Sequence, residues 1–389
     1  MPESSDKPLE HFMFPWRAGN SFCLLVDGSE YFPRMLQAIQ HARSMIMLEM
    51  YLFESGHIAN HFIEALLTAA ERGVSIYIIM DDFGSRGLSH YDKSRLRHPN
   101  IELRYYNPFR LRRFFHYFLR DHRKILIIDN YVAYTGGAGL TDEFLPPDDP
   151  SRQWHDCMIE IQGSNVADWS QLFLDVWQSC TRGLAAEIPI EETAAVEGAQ
   201  GRVVRSNGLI SREIMHSLVK RIRSAEHRVW FELAYFVPSW KLRRSLRYVA
   251  RKGVDVRLVL PGHLTDHPAV RLASHRYFSE LLATGIRIFE YQPRVLHSKV
   301  ILCDQWCSIG SSNLDRWNLR WNLEANQETD NQEFAEIVCA MFETDFEQCE
   351  EIKPETWHLR PWYKRLREHF WGTIDSRFID RIRRRFRHK

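Results

Sequence analysis

The sequence predicts an α/β protein of two similar lobes, each a mixed sheet flanked by helices, related by pseudo-two-fold symmetry with a site at their interface. Three observations predict it. Helical and strand-like apolar patterns alternate from Ser21 onward. Their order recurs in the second half, down to a shared Ala-x-x-Gly-Val junction at Ala70 to Val74 and at Ala250 to Val254, an offset of 180 residues. A His-x-Lys, four residues, an Asp and a small-residue turn also occur once in each half, at His122 and His297, an offset of 175 residues. Self-similarity on this scale is the mark of an internal repeat.

Phe32 to Arg43 has helical apolar spacing, with Met35, Ile39 and Ala42 near one face. Met45 to Phe53 is almost continuously apolar, as a strand covered on both sides is. His61 to Ala70 is helical and stops at Arg72-Gly73; Val74 to Met80 is a second strand. Cys157 to Ile161 reads as a strand. In the second half Ile214 to Ala225 is helical, Val229 to Phe236 strand-like, Leu242 to Ala250 helical and Val254 to Leu260 a strand. The periodicity weakens in the Ala-, Glu- and Gly-rich stretch between them. The expected organisation is a leader at 1–20, a first lobe at 21–184, a linker at 185–203, a second lobe at 204–350 and a basic-aromatic segment at 351–389.

With 389 residues, 44% hydrophobic and 26% charged, the chain is ordinary for a folded protein and long enough for two lobes. Mean hydropathy is −0.37, and no apolar run approaches the roughly 18–20 residues that span a bilayer. The start, MPESSDKPLE, has no basic segment leading into an apolar core, so export is not expected. Seven scattered cysteines without a CxxC pair point to reduced thiols and to no metal site. Net charge is only +1, but from Glu355 to Lys389 eleven Lys or Arg face four acidic residues. A second basic-aromatic cluster spans Phe109 to Lys124; such surfaces suit nucleic acid or an anionic membrane.

A lone His-x-Lys is most often a surface pair. Two copies at one offset, each followed by an Asp and a turn rich in small residues, point to phosphate chemistry. One imidazole attacks phosphorus while the other protonates the leaving oxygen and then deprotonates the acceptor. Lys124 and Lys299 would neutralise non-bridging oxygens, with Gly136, Gly137, Ser311 and Asn313 offering donors in the turns. These donors supply the positive field without a metal or other cofactor. Each His needs a carboxylate to orient its second ring nitrogen. Glu324 is the expected partner of His297, and Asp156 that of His122. Asp129 and Asp304 complete the candidate catalytic set, although a strand-end Asp also closes turns.

At these residues the chain resembles the phospholipase D superfamily, and within it the bacterial cardiolipin synthases of the short type lacking N-terminal membrane spans. The likeness runs from about Ser21 to Glu350 and includes NPFRLRRFFHYFLRDHRKILIID, Trp154-His155-Asp156, Tyr235 to Pro238 and Ser311 to Asp315. It implies a phosphohistidine on one of His122 and His297, with precedent favouring His122, and a site completed within one chain. It further implies transfer of a phosphatidyl group, from phosphatidylglycerol or a similar lipid, to the hydroxyl of a second phospholipid, giving cardiolipin. The implied partners are phospholipid substrates and an anionic membrane, not nucleic acid, with the protein peripheral on the cytoplasmic face of a bacterial inner membrane. Phe109 to Phe118 would rim the site and the C-terminal segment would anchor it.

Two departures stand out. Gly139 occupies the place of the first motif's Asn, and only five residues separate Asp304 from Gly310 where the first copy has six before Gly136. The shorter spacing predicts a tighter hairpin whose turn is displaced relative to its strands. Two other readings use the same residues: hydrolysis of lipid or nucleic acid with water as acceptor, and a catalytically impaired membrane-binding module.

Overall fold

The computed structural model describes residues 12–109, 119–180, 188, 195–207, 212–315 and 321–360. The basic-aromatic residues 110–118, residues 185–187 and 189–194 of the expected linker, and the segment 361–389 lie outside them. The first lobe runs β1 (Arg17–Val26), α1 (Gly28–His41), β2 (Met45–Met50), α2 (His57–Glu71), β3 (Ser75–Asp81), α3 (His90–Arg95), β4 (Ile101–Tyr106), β5 (Lys124–Ile128), β6 (Val132–Gly136), β7 (Cys157–Gly163) and α4 (Asn165–Ser179). The second runs β8 (Ala199–Asn207), α5 (Glu213–Ser224), β9 (Arg228–Leu233), α6 (Trp240–Ala250), β10 (Asp255–Pro261), α7 (Pro268–His275), α8 (Phe278–Leu282), β11 (Arg287–Tyr291), β12 (Lys299–Cys303), β13 (Trp306–Gly310), β14 (Leu323–Asp330) and α9 (Gln332–Glu347). A short strand, β15 (Cys349–Glu351), and a short helix, α10 (Pro354–His358), close the described chain.

The expected pair of sheets is one 15-stranded sheet, ordered β15-β11-β10-β9-β12-β13-β14-β8-β1-β7-β6-β5-β2-β3-β4. Read outward from the β8–β1 junction, each half repeats the other strand for strand, and β15 is an addition at one edge. The junction is antiparallel, with Arg17 opposite Gly201 and Asn20 opposite Ala199. This corrects two expected boundaries: β1 begins inside the stretch read as leader, and β8 inside the stretch read as linker. Both strand ends are polar, so nothing apolar in the sequence marks them. Their partners lie in the other lobe.

β2 and β9 are legible because both faces are covered. All six residues of β2 are buried. Met45 and Met47 join one core, while Ile46, Leu48 and Met50 join the other, with α1 and α2. The first of these cores is shared between lobes: it holds Trp169, Phe173 and Trp177 of α4 together with Trp230 of β9 and Phe334, Val338 and Phe342 of α9. A third core lies under α5 and α6, through Leu218, Ile222, Leu242, Leu246 and Val249.

In each lobe three parallel strands (β2-β3-β4, β9-β10-β11) are followed by an antiparallel hairpin (β5-β6, β12-β13). Met50 at the end of β2 faces Lys124, and Leu233 at the end of β9 faces Lys299. Both motif lysines therefore stand at the carboxyl ends of parallel strands, where open α/β sheets receive their ligands.

The second hairpin is tighter, as its spacing predicts: Asp304-Gln305 connects Cys303 to Trp306, against Asp129-Asn130-Tyr131 between Ile128 and Val132. The expected displacement of the turn at the site is absent. Ile125, just after Lys124, pairs with Thr135, just before Gly136; Val300, just after Lys299, pairs with Ile309, just before Gly310. The missing residue is absorbed at the far end, and the register at the site is the same in both copies.

Candidate active site

The segments leading into the two motifs meet the other lobe through short bridges. Asp121 pairs with Leu323, and His155 with Leu296. The backbone N–H of His122 donates to the carbonyl of Leu323 (3.0 Å), and that of His297 to the carbonyl of His155 (2.8 Å). Each histidine is thus laid beside the residue following its bridge partner: Glu324 for His122, Asp156 for His297. The His122 Nδ1 lies 3.1 Å from Oε1 of Glu324, and the His297 Nδ1 lies 2.6 Å from Oδ2 of Asp156.

This reverses the expected pairing of Glu324 with His297 and Asp156 with His122. Within one lobe the hairpin strand β6 or β13 stands between the His-bearing and carboxylate-bearing strands, a separation of roughly 9–10 Å at two strand spacings. Across the axis nothing intervenes. Each lobe therefore orients the other's histidine.

With Nδ1–H held by a carboxylate, Nε2 of each ring carries the lone pair. Burial, then the charge of Lys299, pushes His297 down to about 4 against the pull of Asp156. His122 is lowered by burial and by Lys124, with Glu324 opposing. Both imidazoles are neutral at neutral pH. Lys124 donates to the carbonyl of His122 (2.6 Å), and Lys299 to that of His297. Burial pushes Lys124 down to about 7, with the Lys299 charge adding to it and Glu324 opposing; burial lowers Lys299 as well. Two buried lysines, one of them depressed further by the charge of the other, beside two neutral imidazoles form a site made for an anion. A phosphodiester entering it would raise all four groups.

The turns act differently from expectation. The N–H of Gly137 donates to the carbonyl of Cys157, and a Cβ there would lie 2.4 Å from the Asp156 carboxylate. Gly136 packs as closely, with a Cβ meeting the Cys157 carbonyl at 2.3 Å. Gly137 makes room for Asp156, and Gly136 for Cys157 and Met158 on the strand that follows it. Ser311 has its N–H bonded to the carbonyl of Ala325 and its Oγ donating to Glu324 at 2.5 Å, so it positions the other carboxylate. Asn313 is the turn residue that fits a ligand. It is fully buried, and both polar atoms of its side chain lack a hydrogen bond among the described residues, an arrangement that costs stability unless a ligand completes it. At Gly139 a Cβ would meet the Leu52 carbonyl at 2.8 Å and its Cβ at 2.7 Å, which excludes Asn without a backbone shift.

Asp129 and Asp304 are far-end residues, not members of the site. Asp129 accepts the N–H groups of Arg43, Ser44 and Met45; Asp304 accepts those of Glu226, His227 and Arg228. Each ties the hairpin tip to the start of β2 or β9.

His122, Lys124 and His297 line one cleft of ≈ 730 Å³, within the range of small-ligand sites. Sequence reasoning missed part of its aromatic wall. The Tyr51 ring lies 4.6 Å from that of His122 and 5.2 Å from the Lys124 ammonium. Phe144 and Trp154 lie 5.5 and 5.3 Å from His297. The signal for Tyr51 was present: a tyrosine follows the buried Glu of each repeat, as Glu49-Met-Tyr51 and Glu232-Leu-Ala-Tyr235. Asp81 was also missed. Its carboxylate takes the N–H of Asp121 and the guanidinium of Arg120, fixing the approach to His122.

Among the described residues one trio could hold a cation. His155, Glu232 and Asp345 are buried with donor atoms within 4.8 Å of one another. Burial disfavours the charged ring of His155, but its hydrogen bonds to Asp27 and Asp345 and the nearby charge of Glu232 outweigh it and hold the imidazolium well above its usual range. A ring held in the imidazolium form has no lone pair to offer a cation.

Two half-sites of identical register, joined by crossed carboxylates in one cleft, define the class: a two-motif phospholipase D-like fold. A family described as "Cardiolipin synthase, PLD-like domain" matches residues 35–177 and 218–346. Cardiolipin synthase A of Pseudomonas aeruginosa (strain LESB58) is 34% identical over 345 residues, covering 88% of this chain and 70% of that protein. Cardiolipin synthase B of Shigella flexneri is 33% identical over 320 residues, covering 80% and 76%. The crystal structure of phosphatidylserine synthase from Haemophilus influenzae Rd KW20 shares the fold, with a TM-score of 0.69 at 12% identity over 93% of this chain and 94% of its own. The chain belongs to the cardiolipin synthase family, phosphatidyltransferases of the phospholipase D superfamily.

Proposed function

We propose that the protein moves a phosphatidyl group from phosphatidylglycerol, through a phosphohistidine, to the headgroup hydroxyl of a second phospholipid, giving cardiolipin and glycerol. The observation that carries this is the pair of neutral imidazoles in one cleft, each held at Nδ1 by the other lobe's carboxylate. In the first step the Nε2 of one histidine, His122 by family resemblance, bonds to phosphorus as the bond to the leaving glycerol oxygen breaks. The other histidine, raised by the phosphodiester's negative charge and protonated at Nε2 by a proton taken up with the substrate, gives that proton to the oxygen and becomes neutral. In the second step the same group takes the proton of the acceptor hydroxyl, which bonds to phosphorus as the P–N bond breaks. Lys124, Lys299 and Asn313 hold the non-bridging oxygens, and the aromatic wall limits water, whose attack would give phosphatidate instead.

The reading makes the protein peripheral on the cytoplasmic face of the inner membrane; no helix among the described residues is long and apolar enough to cross one. The test is mass spectrometry of products from phosphatidylglycerol vesicles, beside an incubation with labelled single-stranded DNA. Cardiolipin and glycerol are expected. Phosphatidate alone, or DNA cleavage without cardiolipin, overturns the proposal. Glu324→Gln and Asp156→Asn should each lower kcat by about 10²–10⁴, the scale on which an orienting carboxylate acts.

A further inference from the structure

Helix α6 carries an outer face that the site does not use. Leu242, Ser245, Leu246 and Val249 are buried, while Trp240, Lys241, Arg244, Tyr248, Arg251 and Lys252 are exposed. At about 100° per residue these six, the last two just past the helix end, fall within an arc of about 120°, a stripe about 18 Å long. Trp240 is 60% exposed and Tyr248 47%. Each ring is covered by a neighbouring cation: Arg244 lies 5.1 Å from the Trp240 ring and Lys252 4.4 Å from that of Tyr248. On the flank, Arg243 and Arg247 share the single carboxylate of Glu280. Lys241, Arg244, Arg251 and Lys252 have no carboxylate partner among the described residues. The stripe therefore presents four uncompensated positive charges around two amphipathic rings.

The repeat supplies an internal control. Helix α2 holds the same place in the first lobe, between β2 and β3 as α6 lies between β9 and β10. Its outer face shows His57, His61, Glu64, Thr68 and Glu71, and the one cation just past its end, Arg72, donates to the carbonyls of Ile39 and Ala42. The fold does not demand a basic-aromatic face at this position. The stripe also starts at the cleft: Trp240 follows Tyr235 and Val237, which line it, and Leu264, 40% exposed, precedes the lining residue Asp266.

We infer that the outer face of α6 is a docking surface for an anionic lipid bilayer, with Trp240 and Tyr248 at the headgroup level and the four cations on lipid phosphates. This deepens the lipid-substrate reading above, since it sets the second lobe's rim of the cleft against the surface that holds the substrate. Tryptophan and tyrosine favour that depth because one end of the ring is apolar and the other polar, and unpaired lysines and arginines are drawn to anionic leaflets.

The test compares three full-length proteins: wild type, Lys241→Gln/Arg244→Gln/Arg251→Gln/Lys252→Gln, and Trp240→Ala/Tyr248→Ala. Co-sedimentation uses phosphatidylcholine vesicles with and without phosphatidylserine, and turnover is measured on a dispersed short-chain phosphatidylglycerol. Wild type should prefer anionic vesicles, less so at high salt. The four-charge variant should lose about tenfold or more in partitioning, and the aromatic variant several-fold on both vesicle types. Turnover of dispersed substrate should be unchanged in both. Vesicle binding unaltered in both variants overturns the inference, as does a loss confined to single-stranded DNA binding. Absence of turnover by wild type would instead count against the transferase reading, while the sedimentation arms still decide the docking surface.

Discussion

A lysine at about 7 is half protonated at neutral pH, and Lys124 is held there by burial with Lys299 beside it. It must be charged to stabilise the non-bridging oxygens, so the free protein loses that help as pH rises through about 7. His122, the attacking ring in this reading, must be neutral to use its lone pair, and burial with the charge of Lys124 holds its pKa below the usual imidazole value, so that form is lost only on the acid side. kcat/KM, which reports the free enzyme, should therefore be bell-shaped between these limits. A bound phosphodiester raises Lys124, so the alkaline limb of kcat should lie higher. Lys124→Arg, whose guanidinium stays protonated, should remove the limb near 7; a pH–rate profile that keeps it would assign it elsewhere. At this scale the sequence disclosed the residue types and hid their partners. His122, Lys124, His297 and Lys299 stand out because they recur. The partners of Glu324 and Asp156 depend on which strand lies between them and a histidine, and strand order is a tertiary property. Gly137 and Ser311 look like phosphate donors in any one-dimensional reading. Only the close approach of Asp156 and Glu324 shows what they hold in place.

The hairpins are the elements on which the site is mounted, and their tips are pinned by Asp129 and Asp304. Asp129 accepts three backbone N–H groups and the Ser44 hydroxyl. Partial burial raises its pKa, but the hydrogen bonds outweigh that and leave it below the usual range. Because the folded value is the lower one, this stabilisation is present above the unfolded pKa and is lost as pH falls through the folded one. Asp129→Ala and Asp304→Ala should each cost about 1–3 kcal/mol of stability in urea titration, with kcat/KM on dispersed substrate unchanged. A loss of activity at constant stability would restore them to the site. Gly139→Asn should cost about 1–3 kcal/mol through overpacking against Leu52 and gain no activity. β2 and β9 were readable because burial on both faces leaves an unbroken apolar run. The outer ends of β1 and β8 were not, because Arg17, Asn20 and Ala199 take their structure from each other across the lobes.

At the scale of the molecule the question is what makes two lobes one folding unit. The sheet is continuous through β1 and β8, and the core shared by α4 and α9 draws residues from both halves. A buried charge network crosses the same boundary. Asp27 of the first lobe accepts from Arg294 of the second (2.8 Å), and His155 of the first reaches Asp27 with one nitrogen (2.9 Å) and Asp345 of the second with the other (3.4 Å). Glu232 lies 3.5 Å from that second nitrogen. His155 has a folded pKa raised well above 6.5. Its contribution is therefore fully present below the unfolded value and is lost as pH rises through the folded one. His155→Leu would leave buried carboxylates without their counter-charge, at a cost of about 3–5 kcal/mol. Chemical denaturation of the wild type should show one transition by circular dichroism and by activity, with stability declining on the alkaline side. The variant should show an earlier midpoint and a smaller alkaline decline. The same substitution should also lower kcat, because the His155 side chain anchors the backbone segment whose carbonyl receives the N–H of His297 and whose next residue is Asp156. Two separate transitions in the wild type would mean that the lobes are independent units. The crossed carboxylates would then be an accident of docking, instead of the consequence of one continuous sheet.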